Sequence, residues 1–145
     1  MSYKIVLKKE ANLDKLKELT KEIAEFFPSS AIVLLKGNLA AGKTTLVSKF
    51  VELLNQGAEV ATSPTFALQQ IYGDTIFHYD FYRVDFSELV NLGLLEEFEK
   101  EGYHFVEWAS EELVDLLLEA GFEVYSIEIN NLGSSREYIL RKLNA

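Results

Sequence analysis

The residues Gly37-Asn38-Leu39-Ala40-Ala41-Gly42-Lys43-Thr44-Thr45 satisfy every fixed position of the phosphate-cradling spacing G-x-x-x-x-G-K-[ST]. In that pattern a glycine-rich loop wraps an anion with successive backbone N–H groups, and the N-terminus of the following helix adds its own. Lys43 supplies a mobile cation for β- and γ-phosphates, and the Thr44 hydroxyl is placed to ligate Mg²⁺. The spacing therefore predicts a nucleotide site.

A phosphate loop alone binds; phosphoryl transfer also needs a metal held opposite Thr44 and a group that orients the attacking atom. In open α/β sheets such groups lie just past the carboxyl ends of strands, and two acids close apolar runs here. Asp80 ends Ile76-Phe77-His78-Tyr79-Asp80, and Glu107 ends Tyr103-His104-Phe105-Val106-Glu107. Each could hold Mg²⁺ directly or through water, and either could orient a hydrolytic water. Thr65, in the Ser-Pro loop Ser63-Pro64-Thr65-Phe66, is placed as a switch hydroxyl sensing the γ-phosphate or the metal. Arg83 reads as an ion-pair partner for one of the many acids rather than as a transition-state cation. Trp108, the single tryptophan, directly follows Glu107 and reads as a packing residue or a site residue. His78 and His104 lie within apolar runs without partners at metal-ligand spacing, so packing or hydrogen bonding is expected of them.

The elements that must position these groups follow from periodicity. Ala31 to Leu35 reads as a fully buried strand, and Thr45 to Leu54 carries apolar residues at helical spacing, with closure near Asn55 and Gly57. Before them, Tyr3 to Leu7 alternates as a half-buried strand, and Asn12 or Asp14 can cap a helix bearing Leu16, Leu19, Ile23, Phe26 and Phe27, ended by Pro28. After them, Val60 to Phe66 reads as a loop. Ala67 to Tyr72 and Thr75 to Asp80 read as a hairpin across Gly73-Asp74, which gives the sheet an antiparallel portion. Ser87 to Lys100 predicts one or two short helices broken at Gly93. Tyr103 to Glu107 is another buried strand, Ser110 caps a helix through Leu118, and Gly121 ends it. Glu123 to Asn130 and Ser135 to Leu143 alternate as two strands around Asn131-Leu132-Gly133.

With 145 residues the chain suits one well-filled domain, 1–145, and it contains no cysteine, which excludes disulfides and thiolate metal sites. No apolar run approaches the length of a membrane span, and the N-terminus lacks the apolar core of a signal peptide, so a soluble, cytoplasmic protein is expected. A net charge of −9 opposes a domain-wide grip on nucleic acid, and no direct sequence-specific nucleic-acid binding is expected. The charge is uneven. Residues 1–50 hold nine lysines and five acids, whereas residues 85–128 hold thirteen acids and the single base Lys100. That acidic stretch is either a solvated face or a dock for a basic partner.

Taken together and in order, the motifs resemble the TsaE family, the small bacterial ATPase of tRNA threonylcarbamoyladenosine modification. The matching stretches are Gly37 to Thr45, Ser63-Pro64-Thr65-Phe66, His78-Tyr79-Asp80-Phe81-Tyr82-Arg83, Leu92-Gly93-Leu94 with Glu96-Glu97-Phe98, and Glu107-Trp108. The likeness spans residues 31–110; the loop alone is generic, and its combination with the other stretches is specific. The resemblance implies a three-layer α/β/α P-loop NTPase fold with a mixed parallel and antiparallel sheet. It further implies ATP and Mg²⁺ as cofactors, weak ATPase activity alone, and action with the TsaB and TsaD proteins on adenosine 37 of tRNA, which is met only through that complex.

Residue by residue, the resemblance implies that Lys43 and Thr45 hold phosphate, that Thr44 and Glu107 hold Mg²⁺, and that Asp80 is the acid of the second nucleotide motif. It raises Thr65 to a switch role and Trp108 to a site residue. One position departs: the family has glycine where this chain has Ala40, and forcing alanine to positive φ costs about 1 kcal/mol. Two other readings share the loop. A regulatory module would signal by its bound state rather than by turnover, and a small-molecule kinase would need more lid arginines than Arg83, Arg136 and Arg141 provide. A GTP switch is disfavoured, because no N-K-x-D segment occurs.

Overall fold

A computed structural model describes residues 2–38, 41–55, 60–62 and 68–144, and its strands join in one eight-stranded sheet. The strands are β1 (Ser2–Ala11), β2 (Ala31–Lys36), β3 (Val60–Thr62), β4 (Gln69–Tyr72), β5 (Ile76–Asp80), β6 (Tyr103–Glu107), β7 (Val124–Asn131) and β8 (Arg136–Asn144). Their order is β1-β8-β7-β2-β6-β5-β4-β3. The inner neighbours β5, β6, β2 and β7 run parallel, and the strands flanking them pair antiparallel. This division follows from burial. Parallel strands need crossover helices over both faces and hence continuous apolar runs, whereas the outer hairpins tolerate one wet face.

Among the described residues five α-helices cover the sheet: α1 (Leu16–Ala24), α2 (Lys43–Asn55), α3 (Phe86–Asn91), α4 (Leu94–Phe98) and α5 (Glu111–Glu119). The side-chain alternation of β2 sorts them into two layers. Ala31, Val33 and Leu35 join Leu16, Leu19 and Ile23 of α1 and Leu46, Val47 and Phe50 of α2. Ile32 and Leu34 join Leu89 of α3, Leu94 and Phe98 of α4, and Leu113 and Leu117 of α5 on the opposite face. The fold is the expected three-layer α/β arrangement with a mixed sheet. Burying a Val, Leu or Ile side chain contributes about 1.5–3 kcal/mol, so β2, apolar and buried throughout 31–35, fixes the base of the phosphate loop.

Several expectations move. The first helix ends at Ala24 rather than at Pro28, through turns in which Phe26 N donates to Ile23 O and Phe27 N to Ala24 O. Phe27 still reaches the α1/α2 core, while Phe26 is exposed. Asn12 caps a 3-10 turn at Leu13–Lys15 that leads into α1. Residues Val60–Thr62 form a strand paired with β4, because the open edge of the hairpin accepts them despite the Ser-Pro signal that follows. The hairpin joint is one residue longer than expected, since Tyr72 pairs with Ile76. Ser110 caps α5 as expected, accepting from Leu113 N. Among the described residues no helix is long and apolar enough to cross a membrane.

Candidate functional site

At the carboxyl end of β2 the chain turns at Gly37 with φ 151°, and a Cβ there would lie 2.8 Å from Ala41 Cβ and 2.9 Å from the Ile129 carbonyl oxygen. Only glycine lets the loop and β7 approach this closely. Ala41 N donates to Asn38 O, and Leu46 N to Gly42 O, so the loop passes directly into α2, which begins at Lys43 itself. Lys43 is almost fully buried; its Nζ donates to Gly37 O at 3.0 Å and lies 3.6 Å from the centre of the Trp108 ring. Burial lowers its pKa, against the opposing pull of Glu107 and then Asp80. Thr45 is exposed in the first turn of α2. Leu39, Ala40, Thr65 and the rest of Ser63-Pro64-Thr65-Phe66 lie outside the described residues.

Sheet register brings the two strand-end acids together. Leu35 of β2 and Asp80 of β5 are both Cα partners of Glu107. Glu107 is 6% exposed, and a single one of its oxygens, Oε2, accepts from Thr44 Oγ1 at 3.3 Å and from His78 Nε2 at 2.5 Å. Burial pushes its pKa up, but the hydrogen bond and charge of His78, the Lys43 ammonium and the Thr44 bond together take it below the ordinary carboxylate value. Asp80 is exposed, and its Oδ1 accepts from Tyr82 N at 3.0 Å. The two acids, Thr44 and His78, with Leu68, Gln70 and Tyr82, line a cavity of about 450 Å³.

This donor set fits Mg²⁺. A hydroxyl and a carboxylate converge within hydrogen-bond distance, both ligands are hard oxygen, and among the described residues no cluster of three His, Asp or Glu forms an all-protein cage. Magnesium is held in just this way, by one or two side chains with phosphate and water completing the octahedron. The start of α2, with Lys43 at its first position, fits an anion.

Trp108 lies beside the loop lysine, with its ring face against Lys43 and its ring centre 5.0 Å from that of Tyr82 in a tilted contact. Its φ of 63° is unusual for a bulky side chain and is held by these contacts. Arg83 forms no ion pair among the described residues; it lies over the Tyr82 ring at 5.0 Å, with φ 59°. The expected ion pair gives way to this ring contact. His104 is a core residue as expected. Gln69 Nε2 donates to Tyr79 Oη, Tyr79 donates to His104 Nδ1, and His104 Nε2 donates to Lys100 O. His78 is more than packing. Its bond to Glu107 puts it in the site, and the signal was available, because alternation along β5 places it on the same face as Asp80.

Comparison with known proteins places the chain in a family. A family model described as "Threonylcarbamoyl adenosine biosynthesis protein TsaE" matches residues 10–138. The tRNA threonylcarbamoyladenosine biosynthesis protein TsaE of Bacillus subtilis is 31% identical over 144 residues, covering 92% of this chain and 90% of that protein. The Aquifex aeolicus protein of the same name is 36% identical over 98 residues, covering 63% of this chain and 71% of that protein. The crystal structure of Bacillus subtilis YdiB superposes with a TM-score of 0.70 at 29% identity, covering 99% of this chain and 89% of that one. The chain belongs to the TsaE family of tRNA threonylcarbamoyladenosine biosynthesis proteins.

Proposed function

We propose that the chain binds and hydrolyses ATP with Mg²⁺, slowly when alone, and that it serves tRNA adenosine 37 modification with the TsaB and TsaD proteins, meeting tRNA only through them. The observation that carries this reading is the convergence of Thr44 Oγ1 on Glu107 Oε2 at the first turn of α2, beside Lys43. Mg²⁺, when bound, would neutralise the negative charge that develops on the phosphates. Thr44 and Glu107 would hold it. Lys43 would exchange the Gly37 carbonyl for phosphate oxygens, and the N–H groups at the start of α2, including Thr45, would face the anion. Asp80, exposed on the same cavity and not committed to His78 or Thr44, orients the attacking water. Trp108 covers Lys43 and excludes water from its ammonium.

The test is ATP turnover by the purified chain with and without TsaB and TsaD, alongside modification of tRNA by the three together. Slow turnover alone, stimulation by the pair, and loss of modified tRNA without ATP are expected. If TsaB and TsaD modify tRNA through many cycles without this chain, the assigned role is wrong. If a non-hydrolysable ATP analogue supports many cycles equally, the chain signals by its bound state and not by turnover.

A further inference from the structure

On the sheet face opposite α2, a cavity of about 490 Å³ opens between the first turns of α5 and strands β7 and β8. Its floor is Val114, Ser126 and Leu143, all buried. Register sets Lys36 beside Glu128, and Ser126 beside Arg141, on this same face. Arg141 and Glu128 are already engaged. Arg141 Nη1 donates to Glu128 Oε1 at 2.9 Å, Asn130 Nδ2 donates to Glu128 Oε2 at 2.8 Å, and the guanidinium lies 5.1 Å from the centre of the Tyr3 ring. Lys36, Glu111 and Asp115 also line the cavity, and among the described residues none of their side chains makes a hydrogen bond or an ion pair. The charge of Lys36 reaches Glu128 only through space. Glu111 and Asp115, four residues apart, share one side of α5.

We infer that this cavity binds a free basic amino acid, arginine or lysine, with its carboxylate on Lys36 and its two cationic groups on Glu111 and Asp115. The charges decide the class. With Arg141 and Glu128 paired, the walls keep one positive and two negative side chains, which do not pair across the opening. A ligand that completes them carries one anionic and two cationic ends, each making a charge-assisted bond. Its aliphatic stem can lie on Val114 and Leu143, as the stems of basic side chains lie on apolar surface. A neutral amino acid leaves one acid unmatched, and a nucleotide would bring its phosphates against both. The cavity lined by Thr44 and Glu107 shares none of these residues, so the inference goes beyond the ATP reading and does not rest on it.

The test is titration of the ¹⁵N-labelled, nucleotide-free chain, followed by amide chemical shifts, with three probes. These are L-arginine, agmatine, which lacks the carboxylate, and L-citrulline, which lacks the side-chain charge. L-Arginine is expected to bind with a Kd of about 1 mM and each of the other two about tenfold more weakly, with the largest shifts near Lys36, Glu111, Asp115 and Ser126. Lys36→Met is expected to weaken L-arginine about tenfold and to leave agmatine within about twofold, because agmatine has no group for that lysine. Asp115→Asn is expected to weaken L-arginine and agmatine alike, by about tenfold. L-Arginine that fails to saturate by about 20 mM overturns the inference. Equal affinity for the three probes, or equal loss of L-arginine and agmatine in Lys36→Met, also overturns it. Shifts spread over the acidic residues of 85–128, instead of gathered at the cavity, would mean diffuse charge attraction and overturn it too.

Discussion

Asp80 and Glu107 are Cα partners at the ends of adjacent parallel strands, yet Glu107 is buried against His78 and Thr44 while Asp80 faces solvent. The pair of strand-end acids thereby divides. A buried carboxylate fixed from two sides suits a metal, and an exposed one on the same cavity suits a mobile water. Glu107→Gln is expected to cut ATP turnover by about 100-fold and to raise the Mg²⁺ concentration needed for half-maximal rate. Asp80→Asn is expected to cut turnover by about tenfold or more while leaving that Mg²⁺ concentration within about threefold. Rate against Mg²⁺ for both variants decides. A shifted Mg²⁺ requirement in Asp80→Asn alone would exchange the roles.

Trp108 carries two separable effects, a ring over Lys43 and a positive φ. Holding a non-glycine residue at such an angle costs about 1 kcal/mol, which glycine does not incur. Trp108→Gly is therefore expected to be about 1 kcal/mol more stable than Trp108→Ala in urea unfolding, although both lose the ring. Because Trp108 is the single tryptophan, tryptophan emission arises from the ring beside Lys43 alone. Nucleotide that draws the ammonium from the ring should change the emission in wild type and leave it unchanged in Lys43→Met. An identical change in that variant would mean that Trp108 senses something other than Lys43.

What the sequence made legible depended on how local the cause was. β2 and β6 could be read because burial on both faces leaves an uninterrupted apolar run, and α5 because Ser110 caps it. The nearness of Glu107 to Asp80 and Leu35 could not be read, since it depends on strand order, which residues far apart in the chain decide together. Phe26 misled for a related reason: its spacing is helical, but the helix has ended and the ring is exposed. Thr44 and Glu107 were each recognisable alone; their shared hydrogen bond arises only when α2 starts at Lys43 beside the end of β6.

His104 links stability to pH. Burial pushes its imidazole down to about 4 from an ordinary 6.5, and its Nδ1 accepts from Tyr79, so the neutral ring is the one that fits. The unfolded chain binds this proton at higher pH than the folded one does. The stabilisation is therefore full above about pH 6.5 and is lost as pH falls towards 4. Between pH 7 and pH 5 this one group is expected to remove about 2 kcal/mol of unfolding free energy. Denaturant titrations at both values for wild type and His104→Gln check it. The variant, less stable at pH 7, should show a pH dependence smaller by about that amount; an unaltered dependence would assign the loss to other groups.

His78 acts through Glu107 as a positioning residue, bonding the same oxygen, Oε2, that accepts from Thr44. Removing it leaves a buried carboxylate with one fewer donor, which costs about 1–3 kcal/mol of stability and lets the carboxylate turn. His78→Ala is expected to lower turnover by about tenfold and raise the Mg²⁺ requirement, with ATP affinity measured without Mg²⁺ unchanged within about twofold. His78→Gln retains an N–H donor of similar reach and should recover most of both losses. A merely structural role would move stability while leaving the Mg²⁺ requirement at the wild-type value, and glutamine would then rescue nothing in the Mg²⁺ profile.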